Sequence, residues 1–122
     1  MRKRWKLWAA AVAFASVAPA AAGAEPNLKE AERLYDVYCS QCHGVARNGK
    51  GVNTIGLSVQ PKDHSDTAGM SSVPREQMIR AIRDGGAAVN KSSLMPPWSS
   101  VLTDQQISDM ADYLMKVCKC GK

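Results

Sequence analysis

Five consecutive residues, Cys39-Ser40-Gln41-Cys42-His43, constrain the fold of this chain more than any other feature. They form a C-x-x-C-H string, which is the attachment signature of a c-type haem. Side chains three positions apart share one face of a helix, so both thiols can reach the two vinyl groups of one porphyrin. The histidine that follows can then present a ring nitrogen to the iron as its proximal ligand.

Two other kinds of site use the same cysteine spacing, namely half of a zinc site and a thioredoxin-like redox pair. A zinc site needs a second pair of ligands, and a thioredoxin-like protein needs alternating strands and helices. The rest of the chain shows neither pattern. The string therefore predicts one covalent haem c held by Cys39 and Cys42, with His43 on the iron.

The first residues of the chain predict an export signal rather than part of a fold. Basic residues near the start precede an apolar stretch at 7–18, and Ala22-Gly23-Ala24 matches a cleavage site of the A-x-A type. The apolar stretch is shorter than the roughly 20 residues that span a membrane. We therefore expect a cleaved signal peptide at 1–24 and a periplasmic domain at 25–122. An uncleaved N-terminal anchor is the alternative.

The charge of the mature chain argues against a nucleic-acid partner. The precursor has 16 basic and 11 acidic residues, but four of the basic ones lie in the predicted signal. The mature chain is therefore close to neutral and lacks the basic surface that nucleic-acid binding requires. At this length it forms one domain with a small core, to which a covalent haem adds a large apolar surface.

Apolar residues recur at helical spacing in three segments, which are separated by loops rich in glycine and proline. The first predicted helix covers residues 28–42. Asn27 is its predicted N-cap, with Glu30 as the capping-box partner. Gly44 is expected to end the helix, because glycine adopts the backbone conformation that follows a helical C-terminus at little cost.

The other two predicted helices follow long loops, the first of which covers residues 45–72. The second helix is predicted at 74–84, with Pro74 as its first residue. The third begins at Thr103, which forms a capping box with Gln106 and precedes a long apolar stripe. Because no segment shows the alternation of a β-strand, the sequence predicts an all-α domain.

These motifs resemble, in order and spacing, those of a class I single-haem cytochrome c. This is the short periplasmic type that is related to the haem c domains of respiratory oxidases and dehydrogenases. The matching segments are residues 31–35, 39–44, 61–63, 79–86, 94–98 and 102–114. The resemblance implies a fold of three main helices and long loops around one covalent haem c, and an activity of one-electron transfer. It also implies Met95 as the distal ligand of the iron.

Two features depart from the pattern of that family. Ala31 stands where the family often has glycine at a helix crossing, so the two terminal helices are expected to pack slightly farther apart. The tail Cys118-Lys119-Cys120 has no counterpart in the pattern. Thiols seldom stay free in an oxidising compartment, which leaves a C-x-C disulfide, an intermolecular disulfide or a tether to a partner open. A frayed chain end with incidental thiols is the remaining interpretation.

The chemistry of Met95 supports its role as a ligand. A thioether is a soft, neutral ligand that raises the reduction potential of haem iron, and Pro96 and Pro97 restrict the loop that carries it. Met70, in the first long loop, is the competing ligand. The methionines on apolar helical stripes are assigned to the core: Met78, Met110 and Met115.

Several other side chains are expected near the haem. His64 is predicted as a loop residue near the surface, with bis-histidine ligation of the iron as the alternative. Trp98 is expected to pack on the haem edge, where its indole N–H can donate to a propionate. Lys50, Lys62 and Lys91 lie in loops that should ring the haem edge. They are expected to be solvated charges, and the resemblance implies that such lysines can also steer an acidic partner.

Three functions are compatible with these features. The first is a monomeric periplasmic electron carrier, not itself an enzyme, which docks to periplasmic or membrane redox proteins of a respiratory chain as donor and acceptor. The second is a haem-based ligand sensor, which requires a labile distal site. The third is a dedicated haem c subunit or assembly partner of a larger respiratory enzyme. A stable complex on purification would favour the third function over the first.

Overall fold

A computed structural model describes residues 23–120, and this part of the chain is all-helical, with no strand. Its five α-helices are α1 (Leu28–Tyr38), α2 (Ser40–His43), α3 (Thr67–Ser71), α4 (Arg75–Asp84) and α5 (Asp104–Cys118). Two 3₁₀ turns occur at Val52–Thr54 and Gly86–Val89. The predicted all-α class is therefore confirmed. The predicted signal peptide lies almost entirely outside the described residues.

Helices α1 and α5 pack against each other, and α4 packs against α5. Both terminal helices bury an apolar stripe, as their periodicity predicted. Ala31 is only 1% exposed and Ala111 is fully buried, so small side chains do lie within this packed core. Each large apolar side chain that is fully buried contributes roughly 1.5–3 kcal/mol relative to its exposed state. No helix within residues 23–120 has both the length and the apolarity needed to cross a membrane.

Helices α1 and α5 have side-chain caps at their N-termini, although the cap of α1 differs from its prediction. Thr103 and Gln106 form the predicted capping box at α5. At α1 the Asn27 side chain accepts from the Glu30 amide as predicted, but the Glu30 carboxylate binds Arg33 instead of completing a box. The Asn27 amide donates to Asp109 of α5 at 3.2 Å, so a tertiary contact replaces the local one.

The first predicted helix is divided at Cys39 into α1 and α2. The Ser40 hydroxyl donates to the Asp36 carbonyl at 2.7 Å, and a serine that bonds back by four residues competes with the backbone ladder and bends helices. The amides of Cys42 and His43 both donate to the Cys39 carbonyl, which starts a new turn. Gly44 ends this turn with a φ of +82°, as predicted from its conformational freedom.

The first long loop is more ordered than the sequence indicated. It contains the 3₁₀ turn at Val52–Thr54 and helix α3, neither of which was predicted. The Thr67 hydroxyl at the start of α3 donates to the Cys118 carbonyl at the end of α5 at 2.6 Å, which joins the two helices. In addition, α4 begins at Arg75, and Pro74 is its N-cap rather than its first helical residue.

The C-terminal cysteines form an intrachain disulfide between Cys118 and Cys120, with their Cα atoms 5.2 Å apart. This separation lies within the usual range for disulfides. Cys118 is fully buried, and Lys119 between the two cysteines adopts a left-handed conformation that ends α5. The interpretation of this segment as a frayed tail with incidental thiols is therefore wrong, because the helix continues through Cys118 and packs it into the core.

Candidate functional site

A single cavity of about 820 Å³ brings together every residue predicted to bind the cofactor or the iron. The predicted residues that line it are Cys39, Cys42, His43, Met95 and Trp98. The volume falls within the roughly 300–1,000 Å³ that is typical of ligand and cofactor sites. All five α-helices and the loops between them supply its walls. The fold therefore gathers residues that are widely separated in sequence around one space.

Both cysteines of the motif are partly buried and unbridged. The short helix α2 follows Cys39 and carries Cys42 and His43, so the motif lies within one turn at the edge of the cavity. Burial raises the pKa of the Cys39 thiol to about 12, with a smaller contribution from Cys42. Two free thiols beside an imidazole, facing a largely apolar cavity, fit the donor set that a covalent haem requires.

The imidazole of His43 has a defined proton position. Its Nδ1 lies 3.0 Å from the Lys62 carbonyl oxygen. Because a carbonyl can only accept, Nδ1 must donate, and Nε2 is then left with its lone pair. Burial lowers the pKa of His43, which favours this neutral form. A metal-binding histidine needs this arrangement, since the hydrogen bond at one nitrogen fixes the other as the ligand.

His64 is buried beside His43, so the prediction of a histidine near the surface is wrong. Its side chain is only 8% exposed, and its ring stacks on that of His43 with the centroids 4.4 Å apart. The residue is drawn inward because its amide donates to the Arg47 carbonyl and its Nδ1 contacts the Tyr35 hydroxyl at 3.2 Å. Burial, with a smaller contribution from His43, lowers the pKa of His64 to about 3.

The stacked geometry also bears on bis-histidine ligation. The two imidazole planes lie within 15° of parallel, with one ring stacked over the face of the other. A pair of axial ligands must instead approach the iron from opposite faces of the porphyrin. The placement of His64 therefore favours a supporting role next to His43 over the role of a sixth ligand.

The loop that carries Met95 is held by its backbone against two glycines. The Gly86 amide donates to the Met95 carbonyl at 3.0 Å, and the Met95 amide donates to the Ser92 carbonyl at 3.3 Å. A Cβ atom at Gly85 would lie only 3.0 Å from the Met95 carbonyl oxygen, and one at Gly86 would clash with the Ser92 carbonyl oxygen. Glycine at both positions is what allows the loop to approach this closely.

Four methionines line the cavity, so its lining alone does not select the ligand: Met70, Met78, Met95 and Met110. Met78 and Met110 are buried on long helices, as predicted for core residues. Met70, which was expected in a loop, belongs to helix α3 and is 2% exposed. Met95 is the one of these four that lies outside a helix and is only partly buried.

Other predicted neighbours of the cofactor are placed as follows. Trp98 is partly buried and packs against Tyr38, with the ring centroids 5.4 Å apart. Lys62 and Lys91 line the cavity, whereas Lys50 does not. Among the residues that the structure describes, no carboxylate side chain lines the cavity. The charged side chains that the cavity lining contains are therefore cationic.

Comparisons with known proteins identify the family of this chain. Residues 26–114 match the family described as cytochrome c oxidase, cbb3-type, subunit III. The chain is 29% identical over 98 residues to the quinohemoprotein alcohol dehydrogenase ADH-IIG of Pseudomonas putida, covering 80% of this chain and 12% of that protein. It is 32% identical over 75 residues to cytochrome c-554(548) of Halomonas halodenitrificans, covering 62% of this chain and 78% of that protein.

Two solved structures have a similar fold. The KustC0563 c-type cytochrome superposes with a TM-score of 0.54 at 22% identity, covering 75% of this chain and 98% of that one. The Kuenenia stuttgartiensis reducing HAO-like protein complex Kustc0457/Kustc0458 superposes with a TM-score of 0.55 at 23% identity, covering 73% of this chain and 41% of that one. The chain thus spans nearly all of the KustC0563 structure but only a small part of the dehydrogenase.

Proposed function

Because the chain belongs to the cytochrome c family of the cbb3-type oxidase subunit III, and so is a class I cytochrome c, we propose that it is a one-electron carrier with a single covalent haem c. Haem-based electron transfer is the activity of this family. The bound haem would supply an iron that changes its charge by one unit. The gathering of Cys39, Cys42, His43 and Met95 around one cavity is the observation that carries the proposal.

Each of these residues has a distinct part in the proposal. Cys39 and Cys42 form the two thioether links, and His43 provides the proximal ligand through Nε2. The Lys62 carbonyl keeps the proton on Nδ1, so that the imidazole stays neutral and keeps its tautomer. Met95 provides the distal ligand, and its soft sulfur favours the reduced iron.

The walls of the cavity support electron transfer rather than chemistry on a substrate. The buried side chains around it exclude water and limit the rearrangement of charge that accompanies a change of iron oxidation state. Trp98 lies on the same cavity, which agrees with the proposed packing on the haem edge and the indole contact to a propionate. We propose no catalytic residue in this chain, and its role ends with the transferred electron.

The proposed setting is the periplasm, reached through the signal peptide at 1–24, with residues 25–122 as the mature monomeric domain. Its partners would be periplasmic or membrane redox proteins of a respiratory chain that act as electron donor and acceptor. Lys62 and Lys91 at the cavity support the proposal that the partner surface is acidic. Lys50 lies outside the cavity lining and supports this docking less directly.

A second candidate is a haem c subunit of a larger respiratory enzyme. It is favoured by the match to an oxidase subunit family and by the similarity to part of a dehydrogenase. The protein can be purified from its native cells, both from the soluble fraction and from detergent-solubilised membranes. Gel filtration of the two preparations then distinguishes the two proposed functions. A free carrier elutes at the size of the mature chain, whereas a subunit elutes with its partners.

The proposed haem ligation is tested by the visible spectrum of the reduced, periplasmically matured protein with and without carbon monoxide. We expect an unchanged spectrum, because Met95 would occupy the distal position. A shifted Soret band would contradict the electron-carrier proposal and favour a ligand sensor with a labile distal site. Haem staining after denaturing electrophoresis checks the covalent attachment in the same sample.

A further inference from the structure

Residues 62–64 contact the imidazole of His43 at two different points. The Lys62 carbonyl accepts from Nδ1 at 3.0 Å. Two residues later, the His64 ring lies against the His43 ring, with the centroids 4.4 Å apart and the planes within 15° of parallel. A single hydrogen bond fixes one atom and lets the ring swing about it, whereas a flat neighbour also fixes the plane of the ring.

His64 is itself held from two sides. Its amide donates to the Arg47 carbonyl at 2.8 Å, and its Nδ1 lies 3.2 Å from the hydroxyl of Tyr35. Tyr35 is only 1% exposed and is covered by the Arg47 guanidinium, which lies 4.9 Å from the centre of the tyrosine ring. Arg47 in turn donates to the Tyr113 hydroxyl at 2.8 Å. The plane of the His64 ring is therefore set by the buried contacts of α1 and α5.

We propose that His64 is a positioning residue whose ring, anchored by Tyr35, fixes the rotation of the His43 imidazole about its Cβ–Cγ bond. This inference rests on the proposed function, since it takes His43 as an iron ligand. The hydrogen bond to Lys62 sets the tautomer, and the stacked ring sets the plane. If haem were bound, an imidazole whose plane is fixed would interact unequally with the four sides of the porphyrin, and such supporting contacts tune metal sites generally.

The test uses proton NMR of the oxidised holoprotein, in which the four haem methyl resonances report the plane of the axial imidazole. Two variants separate the flat ring from the bulk of the side chain. H64L fills a similar volume without a planar surface, and H64F keeps the planar ring. We expect H64L to change the pattern of methyl shifts the most. H64F keeps the flat ring but lacks the Nδ1 that contacts Tyr35, so it should change the pattern by a clearly smaller amount, similar to that of Y35F.

Y35F tests the anchor by removing one hydroxyl while keeping the aromatic ring. We expect it to change the methyl pattern in the same sense as H64L, by a smaller amount, and this variant decides the question if H64L does not fold. I107V is the matched control, because Ile107 is also buried but does not line the cavity. It should leave the methyl pattern close to that of the unmodified protein.

Three results would overturn the inference: an unchanged methyl pattern in H64L, an equal change in H64F and H64L, or an unchanged pattern in Y35F. Failure of the proposed function looks different. In that case the unmodified protein carries no covalent haem, or its spectrum indicates a ligand set without His43, before any variant is compared. An intact haem spectrum with methyl shifts that do not respond to H64L would therefore overturn only the role of His64.

Discussion

Two walls of the cavity are held in different ways. The His43 wall, formed by Cys39, Cys42, His43, Lys62 and His64, is held by side chains, with the His43 ring hydrogen-bonded at one nitrogen and stacked on its neighbour. The Met95 wall is formed by Gly86, Met95 and Trp98 and is backed by Gly85. It is held by backbone hydrogen bonds and by the close approach that the two glycines allow.

This difference follows from the chemistry of the two proposed ligands. An imidazole has a second nitrogen that the protein can hold, and this hydrogen bond orients the ring. A thioether sulfur is only a weak acceptor, so a methionine ligand must be positioned through its backbone and by packing. Substitutions on the His43 wall should therefore act through side-chain contacts, and those on the Met95 wall through the shape of the loop.

The largest effect is expected from breaking the attachment on the His43 wall. In C39A/C42A neither thioether can form, so the purified protein should carry no haem that survives denaturing electrophoresis. The control is C118A/C120A, which also removes two cysteines but should retain the covalent haem. Haem staining after denaturing electrophoresis and intact-mass spectrometry measure the covalent haem in both variants. Haem that stays covalently bound to C39A/C42A would contradict the assigned attachment site.

The second prediction concerns the sulfur of the Met95 wall. M95L keeps the volume of the side chain but removes the ligand. We expect the reduced variant to bind carbon monoxide and its potential to fall by on the order of 0.1 V, within the roughly 0.8 V over which axial ligands set haem potentials. M70L is the matched control and should change neither property. If M70L and not M95L opens the distal site, the ligand is Met70 and the Met95 wall has a different role.

The two walls also differ in how far the sequence determines them. The motif at 39–43 and the capping box of Thr103 and Gln106 depend on residues within one turn of helix, and both were predictable. The contact between His43 and Lys62 joins residues 19 positions apart, and that between Tyr35 and His64 joins residues 29 positions apart. Such contacts exist only after the loop has folded back on the helices, and no local sequence pattern predicts them.

The absence of the predicted capping box at α1 shows the same limit of local sequence patterns. Glu30 stands at the correct position for a capping box, and the local pattern favoured one. In the folded protein the Asn27 amide donates to Asp109, which is 82 positions away, and Glu30 binds Arg33 instead. Local propensity was overridden by the packing of α1 on α5. The burial of His64 against expectation has the same origin, since Tyr35 and Arg47 draw it inward.

The third prediction tests whether the Met95 wall depends on backbone shape. In G86A the new Cβ atom would clash with the Ser92 carbonyl and lie 3.2 Å from the Cβ atom of Met95, so the loop must shift. We expect partial binding of carbon monoxide, a smaller fall in potential than in M95L, and a loss of roughly 1–3 kcal/mol of stability from overpacking. The control is A87S, an exposed position in the same 3₁₀ turn. A fully occupied distal site in G86A would mean that the loop tolerates the displacement and that packing alone holds Met95.

The smallest effect is expected at the C-terminus, which belongs to neither wall. C118A/C120A opens a three-residue loop, and the chain-entropy relation gives a loss of about 1.5 kcal/mol of stability for a loop of that size. Neither cysteine lines the cavity, so the potential should not change even though the melting temperature falls. The disulfide could still affect the potential through the hydrogen bond from Thr67 of α3 to the Cys118 carbonyl. Met70 of the same helix lines the cavity, so a shift of α3 would reach the cavity. Potentiometric titration and thermal melting of the same sample show whether the disulfide affects stability alone or also the potential. A shift in potential as large as that of G86A would show that α3, which the end of α5 holds in place, also controls the environment of the haem.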